Sequence, residues 1–426
     1  MANVLFTGVR IFDGSGENSY TGEVLVQGNR IRRVARGARS IPTQGVTVID
    51  AAGATLMPGL CDAHAHFSWN DSSSLEGISM MPPEEHILYT AFVARTFLDH
   101  GFTMCVGAAA AKPRLDVVIR NAINSGMYPG PRYLANGQEI GTLGGLGDTN
   151  PPHLHDPLMS FGAISTGPEA MRVIVRTFIK YGVDLIKLNL SGESMTDTHA
   201  EESPMSEEEI VMAVTEAKRR RKRVCAHARS ALSVKQCVKH GIEIIYHASF
   251  VDEEALDLLE ANKDKHFVAP ALAWLITLCN GDATKYGLSK DKLAKMGYMR
   301  ELEIAIEACK KMHRRGIRVL PGGDYGFAWT PHGTYAKDLE YFVNLLGFSP
   351  TEALIAATRL GGQIFGKPNE LGQVKEGYLA DLILVDGDPV TNIRVLQDKN
   401  RILAIMKDGE FHKSPDLMPH RQRVAI

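Results

Sequence analysis

Two histidines at alternate positions, His64 and His66, close the run Asp62-Ala63-His64-Ala65-His66. If that run ends a β-strand, side chains two apart share a face and both imidazoles point the same way. Two neutral imidazoles on one strand end can hold a divalent metal ion. The spacing alone is weak evidence, because His153-Leu154-His155 repeats it in a proline-rich stretch where no strand fixes the rings. That second pair reads as solvated loop.

Other chemistry-bearing residues end apolar runs. His227 closes Val224-Cys225-Ala226-His227, His247 closes Ile244-Ile245-Tyr246-His247, and Asp324 follows Val319-Leu320-Pro321-Gly322-Gly323. Lys187 lies inside Asp184-Leu185-Ile186-Lys187-Leu188-Asn189-Leu190. Singly, each has a plainer reading: a satisfied core histidine, a helix-capping aspartate, a lysine snorkelling to the surface. Together they form a set, because all fall at or near the ends of inferred strands. Burial favours the neutral amine of a lysine, which can add carbon dioxide to give a carbamate. That anion can bridge two cations, so Lys187 in this company suggests two metals.

The elements that must position these groups follow from hydrophobic patterning. Apolar strands are predicted near 60–66, 103–107, 132–135, 184–190, 223–227, 243–247, 266–270 and 318–324. Amphipathic helices fill the gaps, at 84–99, 168–181, 206–221, 252–262 and 292–315 among others. Ser206 with Glu209 three residues on has capping-box form. Eight strands, each followed by a helix, predict an α/β fold built on a (β/α)8 TIM barrel, with an open doubly wound sheet as the alternative. Barrel enzymes place their active sites at the C-terminal strand ends, where the polar set falls.

Short β runs at 4–12 and 23–36 are echoed at 380–385 and 402–407. They can pair only if the chain returns to its start. The prediction is a small β-sandwich from residues 1–56 with 373–426, around a barrel of 57–372.

The 426 residues are 44% hydrophobic and 23% charged, with a formal net charge of -2. That composition is globular, and the charge balance argues against a nucleic-acid partner. No apolar run is long enough for a membrane span, and the first residues lack secretory-signal form. Six cysteines without CxxC spacing read as reduced thiols, so a cytoplasmic protein is expected. The basic run 218–223 looks like a localisation signal or nucleic-acid patch, but it ends an inferred helix, where cations favour the dipole.

The chain resembles the amidohydrolase superfamily over nearly its whole length. The residues that carry the resemblance are the run 57–66 (MPGLCDAHAH), Lys187, His227, His247, Gly322-Gly323-Asp324 and the late run 372–382 (GQVKEGYLADL). The resemblance implies one metal on His64, His66 and Asp324, a second on His227 and His247, and a carboxylated Lys187 between them. It implies zinc as the metal. Within the superfamily the chain looks most like zinc-dependent Xaa-Pro dipeptidases (prolidases) and related carboxyl-terminal amino-acid amidases. Supporting segments are 185–192 (LIKLNLSG), His227-Ala228-Arg229 and 330–334 (TPHGT). In the segment 144–148, Leu146 stands where relatives often carry histidine.

The expected reaction is hydrolysis of a dipeptide amide bond, by a hydroxide held between the two ions. Asp324 would serve as base and then acid. Arg229, two residues past His227, could clamp a substrate carboxylate, the alternative being a surface salt bridge. His332 could assist it or be a loop residue. The glycine-rich segment 141–147 lacks the lysine and hydroxyl of a phosphate loop and reads as a substrate-facing loop. Alternatives are an amidase on N-acyl amino acids, a cyclic amidase or deaminase, and a non-catalytic metal-binding assembly protein. A homo-oligomer acting on a small molecule is expected.

Overall fold

The computed structural model describes residues 3–151, 153, 160–196 and 198–415, so His155 lies outside the described residues. The chain opens with β1 (Asn3–Ile11), β2 (Tyr20–Gln27), β3 (Arg30–Arg36), β4 (Thr47–Asp50) and β5 (Thr55–Pro58). Next come β6 (Leu60–Ala65), β7 (Phe102–Gly107), β8 (Arg132–Leu134), β9 (Ile140–Thr142) and β10 (Ala163–Ser165). Then follow β11 (Leu185–Asn189), β12 (Arg223–Ser230), β13 (Ile244–Phe250) and β14 (Phe267–Ala269). The last strands are β15 (Leu382–Val385), β16 (Ile402–Lys407) and β17 (Glu410–Lys413).

Both ends of the chain share one sheet, in the order β17-β16-β15-β5-β1-β2-β3, with β4 also on β1. The ends therefore meet. The ladder is one continuous sheet of eight strands, as for the small sheet or sandwich that the two β-rich ends suggest. The cause lies in β1, which pairs with β4 along its first half and with β5 at its end. Phe6, Val24, Val26, Leu56, Leu382 and Leu384 form a core of this sheet's own.

The middle of the chain is α/β with parallel strands. Its ladders run β6-β7-β8 and β10-β9-β11-β12-β13-β14. Every residue of β6, β7 and β11 is buried, as expected for parallel strands covered on both faces. These two arcs are not the single closed ring that was predicted. One reason is that the run 318–324 makes only the bridge Val268 to Val319 before Pro321, which has no N–H, and two glycines end it. A second is β9, absent from the sequence reading, whose Ile140 pairs with Leu188 on the edge of β11. Backbone bonds cross both seams: Leu320 N–H to the Val268 carbonyl at 2.9 Å, Ala63 N–H to Pro321 at 2.9 Å, and Leu185 N–H to Ala135 at 3.2 Å.

Helix Glu207–Arg219 opens on the predicted capping box, with both Ser206 and Glu209 bonds formed. Of the basic run that follows, Arg219 pairs with Glu216 and Arg223 with Glu243. All six cysteines are buried and unpaired. Among the described residues, no helix is long and apolar enough to cross a membrane.

Candidate active site

The strand β6 delivers His64 and His66 side by side, with ring centroids 5.2 Å apart. The His66 Nδ1 meets the Ala109 carbonyl at 2.9 Å. That contact places the ring proton on Nδ1 and leaves the Nε2 lone pair free. His66 Nε2 lies 3.2 Å from Asp324 Oδ1, and His64 Nε2 lies 3.7 Å from the same oxygen. One ligand atom from each of the three falls within 4.8 Å of the others. His66 Nε2 and Asp324 Oδ1 are buried without a hydrogen-bond partner, a costly state for polar atoms. Two nitrogens and a carboxylate oxygen suit a divalent cation, so these residues fit a metal.

His227 from β12 and His247 from β13 bring their rings to 4.4 Å, and His247 stands 5.1 Å from His64. The His247 Nδ1 is likewise buried without a partner. Lys187 is buried, its Nζ 4.8 Å from the Tyr246 ring centroid and, among the described residues, in no ion pair with a carboxylate. Burial pulls the His64, His227 and His247 imidazoles well below their ordinary range, which keeps them neutral and able to ligate. For Asp324, burial pushes the carboxyl up, but His64, His66 and Lys187 outweigh it and hold it below the usual range.

Two of these residues adopt left-handed backbone, His247 at φ 71° and Asp324 at φ 60°. Such conformations cost a non-glycine residue on the order of 1–3 kcal/mol and persist only where the surroundings enforce them. Gly322 supplies part of that enforcement: its N–H donates to Asp338 Oδ2 at 2.8 Å. A Cβ on Gly322 would sit 2.6 Å from the His64 nitrogen, so the close approach of this loop to β6 requires glycine.

The group opens on a cavity that is partly open to solvent. Trp69, Leu146, Phe161, Trp274 and Phe327 make its apolar wall, and Glu139, Glu193 and Arg229 its remaining charged lining. Trp69 lies flat on His66, with centroids 3.2 Å apart and planes 7° from parallel.

Arg229 lines this cavity, but as part of a buried ion network rather than a surface bridge. Its Nη2 pairs with Glu193 and its Nη1 with Glu301, while the Tyr298 hydroxyl donates to Glu193 at 2.6 Å. Burial works against the guanidinium charge, but Glu193 and Glu301 outweigh it and push the pKa up. His332, expected to assist at the substrate carboxylate, is not among the residues lining the cavity. Its Nε2 meets the Trp69 carbonyl at 2.8 Å and its Nδ1 the Tyr335 hydroxyl at 3.2 Å.

Sequence reasoning missed Glu139, Glu193, Glu301 and Tyr298. Glu193 ends the Leu-Ser-Gly-Glu stretch after β11, a spacing that could have drawn attention. Glu301 and Tyr298 sit on a distant helix, Tyr298–Arg314, and carried no local signal.

The family model for the amidohydrolase family matches residues 55–411. The chain belongs to the amidohydrolase family. As a hydrolase of that family it carries a candidate metal site where the three ligands converge. This amidohydrolase is 28% identical over 386 residues to the ochratoxinase of Aspergillus niger, covering 85% of this chain and 77% of that one. It is similar in structure to a prolidase complexed with N-methylphosphonate-L-proline, with TM-score 0.86 and 25% identity over 96% of this chain and 99% of that one. An Xaa-Pro dipeptidase with bound methionine in its active site is similar at TM-score 0.85 and 26% identity, covering 97% of this amidohydrolase and 100% of that chain.

Proposed function

We propose that this amidohydrolase cleaves the amide bond of dipeptides, Xaa-Pro dipeptides first among them. The observation that carries the reading is one cavity lined by His64, Lys187, His227, His247, Asp324 and Arg229. It combines a ligand set with a buried cation able to meet a substrate carboxylate. The prolidase and Xaa-Pro dipeptidase likenesses support the same reading.

In this proposal His64, His66 and Asp324 would hold one divalent ion and His227 and His247 a second, with Lys187, carboxylated by carbon dioxide, as a further ligand. Zinc is the proposed metal. When bound, the ions supply Lewis-acid polarisation of the substrate carbonyl and a more acidic water. Asp324 takes the proton from the attacking water and hands it to the departing nitrogen. For an Xaa-Pro substrate that nitrogen is secondary and must be protonated to leave. Arg229 faces the carboxylate with the donors that Glu193 and Glu301 do not occupy. The apolar wall excludes water from the reacting bond and accepts an uncharged side chain.

The proposed architecture is a (β/α)8 barrel of 57–372 with a small domain of 1–56 and 373–426, in a cytoplasmic homo-oligomer. A second reading, an amidase on N-acyl amino acids, is favoured by the aromatic wall of Trp69, Phe161, Trp274 and Phe327. A substrate panel of Xaa-Pro, other dipeptides, N-acyl amino acids and hydantoins tests both. Turnover confined to hydantoins would overturn the dipeptidase reading.

A further inference from the structure

Three carboxylates line the cavity: Glu139, Glu193 and Asp324. Two of them face groups that can carry positive charge. Glu193 pairs with Arg229 and accepts from the Tyr298 hydroxyl, and Asp324 faces His64 and His66. Glu139 differs. Among the described residues its one hydrogen bond comes from a neutral amide, Asn189 Nδ2 to Oε1 at 2.8 Å. It is 4% exposed and lines the cavity. A buried carboxylate with one amide donor is incomplete, and it stands on the wall of a cavity that admits ligand.

The position of Glu139 gives that incompleteness a direction. Ile140 pairs with Leu188, so Glu139 precedes β9 directly beside Lys187 on β11. The reading above uses the Lys187 amine in a carbamate, which removes the nearest protein cation. Arg229 lies on the other side of β11, on β12, where Asn189 pairs with His227. Two strand spacings separate the backbones of β9 and β12, about 10 Å. Both side chains reach into the same cavity, and an extended dipeptide spans about 7 Å. Glu139 and Arg229 thus reach the cavity from strands on either side of β11.

We propose that Glu139 receives the free α-ammonium group of the substrate, making it a specificity-determining residue for zwitterionic dipeptides over N-acylated ones. The inference rests on the dipeptidase reading and adds to it the state of the substrate's amino end. Asn189 holds the carboxylate in place, and the ammonium supplies the charge-assisted bond it lacks. An acyl group on the same nitrogen removes the cation and adds bulk, leaving Glu139 buried without a counter-charge.

The test compares an Xaa-Pro dipeptide with its N-acetyl derivative in the wild type and in Glu139→Gln. Glutamine keeps an oxygen for Asn189 and removes only the charge. The wild type is expected to favour the free amine, and Glu139→Gln to lower that kcat/KM ratio by roughly tenfold to a hundredfold, as for one charge-assisted hydrogen bond. Calorimetric titration with a phosphinate analogue of the dipeptide, free and N-acetylated, should show the same change in the ratio of Kd values. Equal treatment of the two substrates by the wild type, or an equal loss on both in the variant, would overturn the proposal and leave the hydrolase assignment standing. A wild type that cleaves neither substrate overturns the dipeptidase reading, and an unchanged Kd ratio then overturns the Glu139 assignment separately.

Discussion

The Arg229 guanidinium meets Glu301 with Nη1 and Oε1 2.5 Å apart, both side chains sealed from solvent. Glu193 holds the other terminal nitrogen, and Nε is left without a partner. One arginine thus serves two buried acids. Its planar fork is partly committed to the protein, which narrows the contact it can offer to a ligand.

Removing that cation should be costly. Arg229→Ala leaves Glu193 and Glu301 buried without a counter-charge and is expected to destabilise the fold by about 3–5 kcal/mol, as for other broken buried ion networks. Denaturant unfolding of the variant measures it. Adding Glu193→Gln and Glu301→Gln should restore most of the loss. A midpoint within error of the wild type would show that the network contributes nothing.

Asp324→Asn is expected to keep the fold and lower kcat by about 10²–10⁴-fold, the range for a positioned acid–base group. Asparagine still offers an oxygen near His64 and His66, so the comparison isolates the proton. Steady-state kinetics at matched metal content decides it, and near-wild-type turnover would exclude Asp324 from proton transfer.

The sequence made the ligand group legible because strand periodicity and the barrel's polarity act locally. His64 and His66 share a face by alternation alone, and His227, His247 and Asp324 each end an apolar run. The missing parts depend on contacts between distant segments. Glu301 reaches Arg229 from a helix 72 positions away, and nothing around it marks that role. β9 was hidden in a glycine-rich stretch that reads as loop, yet Ile140 takes a place on β11. His332 is a pocket candidate through the resemblance carried by 330–334 (TPHGT), with a loop residue as the plainer reading. The fold turns it toward the Trp69 backbone instead.

The contribution of Asp116 to stability should fall as pH rises through the weakly acidic range, opposite in sign to that of the buried neutral histidines. Burial pushes the Asp116 carboxyl up to about 7, against the opposing pull of the Tyr133 hydroxyl, at 2.6 Å, and the Asn136 N–H. A raised carboxyl favours the protonated folded state. Its contribution is fully present below the unfolded carboxylate range near 4 and is lost as pH rises through about 7. Asp116→Asn should remove that component, raising Tm at pH 8 relative to Tm at pH 5. An unaltered difference would assign the dependence to other groups.

Chelator dialysis followed by titration with a divalent ion should return nearly two equivalents per chain and raise Tm, since a ligand that binds the native state stabilises it. His227→Asn should lower the count toward one while His64, His66 and Asp324 retain theirs. Elemental analysis reads both. Saturation of the wild type at one equivalent would remove the second site.

Arg229 and His332 can be told apart with one pair of substrates, a free dipeptide and the same dipeptide bearing a C-terminal amide. Arg229→Lys keeps a cation for Glu193 and Glu301 but loses the planar array of donors. If Arg229 also meets the substrate carboxylate, the variant should lose more kcat/KM on the free dipeptide than on the amide. His332→Ala acts elsewhere. It removes the support of the Trp69 carbonyl, and Trp69 in turn lies against the metal-ligand candidate His66. A single neutral hydrogen bond is worth about 0.5–1.5 kcal/mol, so a loss of roughly twofold to twelvefold is expected, equal on both substrates. Equality is the distinguishing result, because a wall that shifts affects every ligand whereas a carboxylate contact affects one. A loss in His332→Ala confined to the free dipeptide would bring His332 back to the substrate.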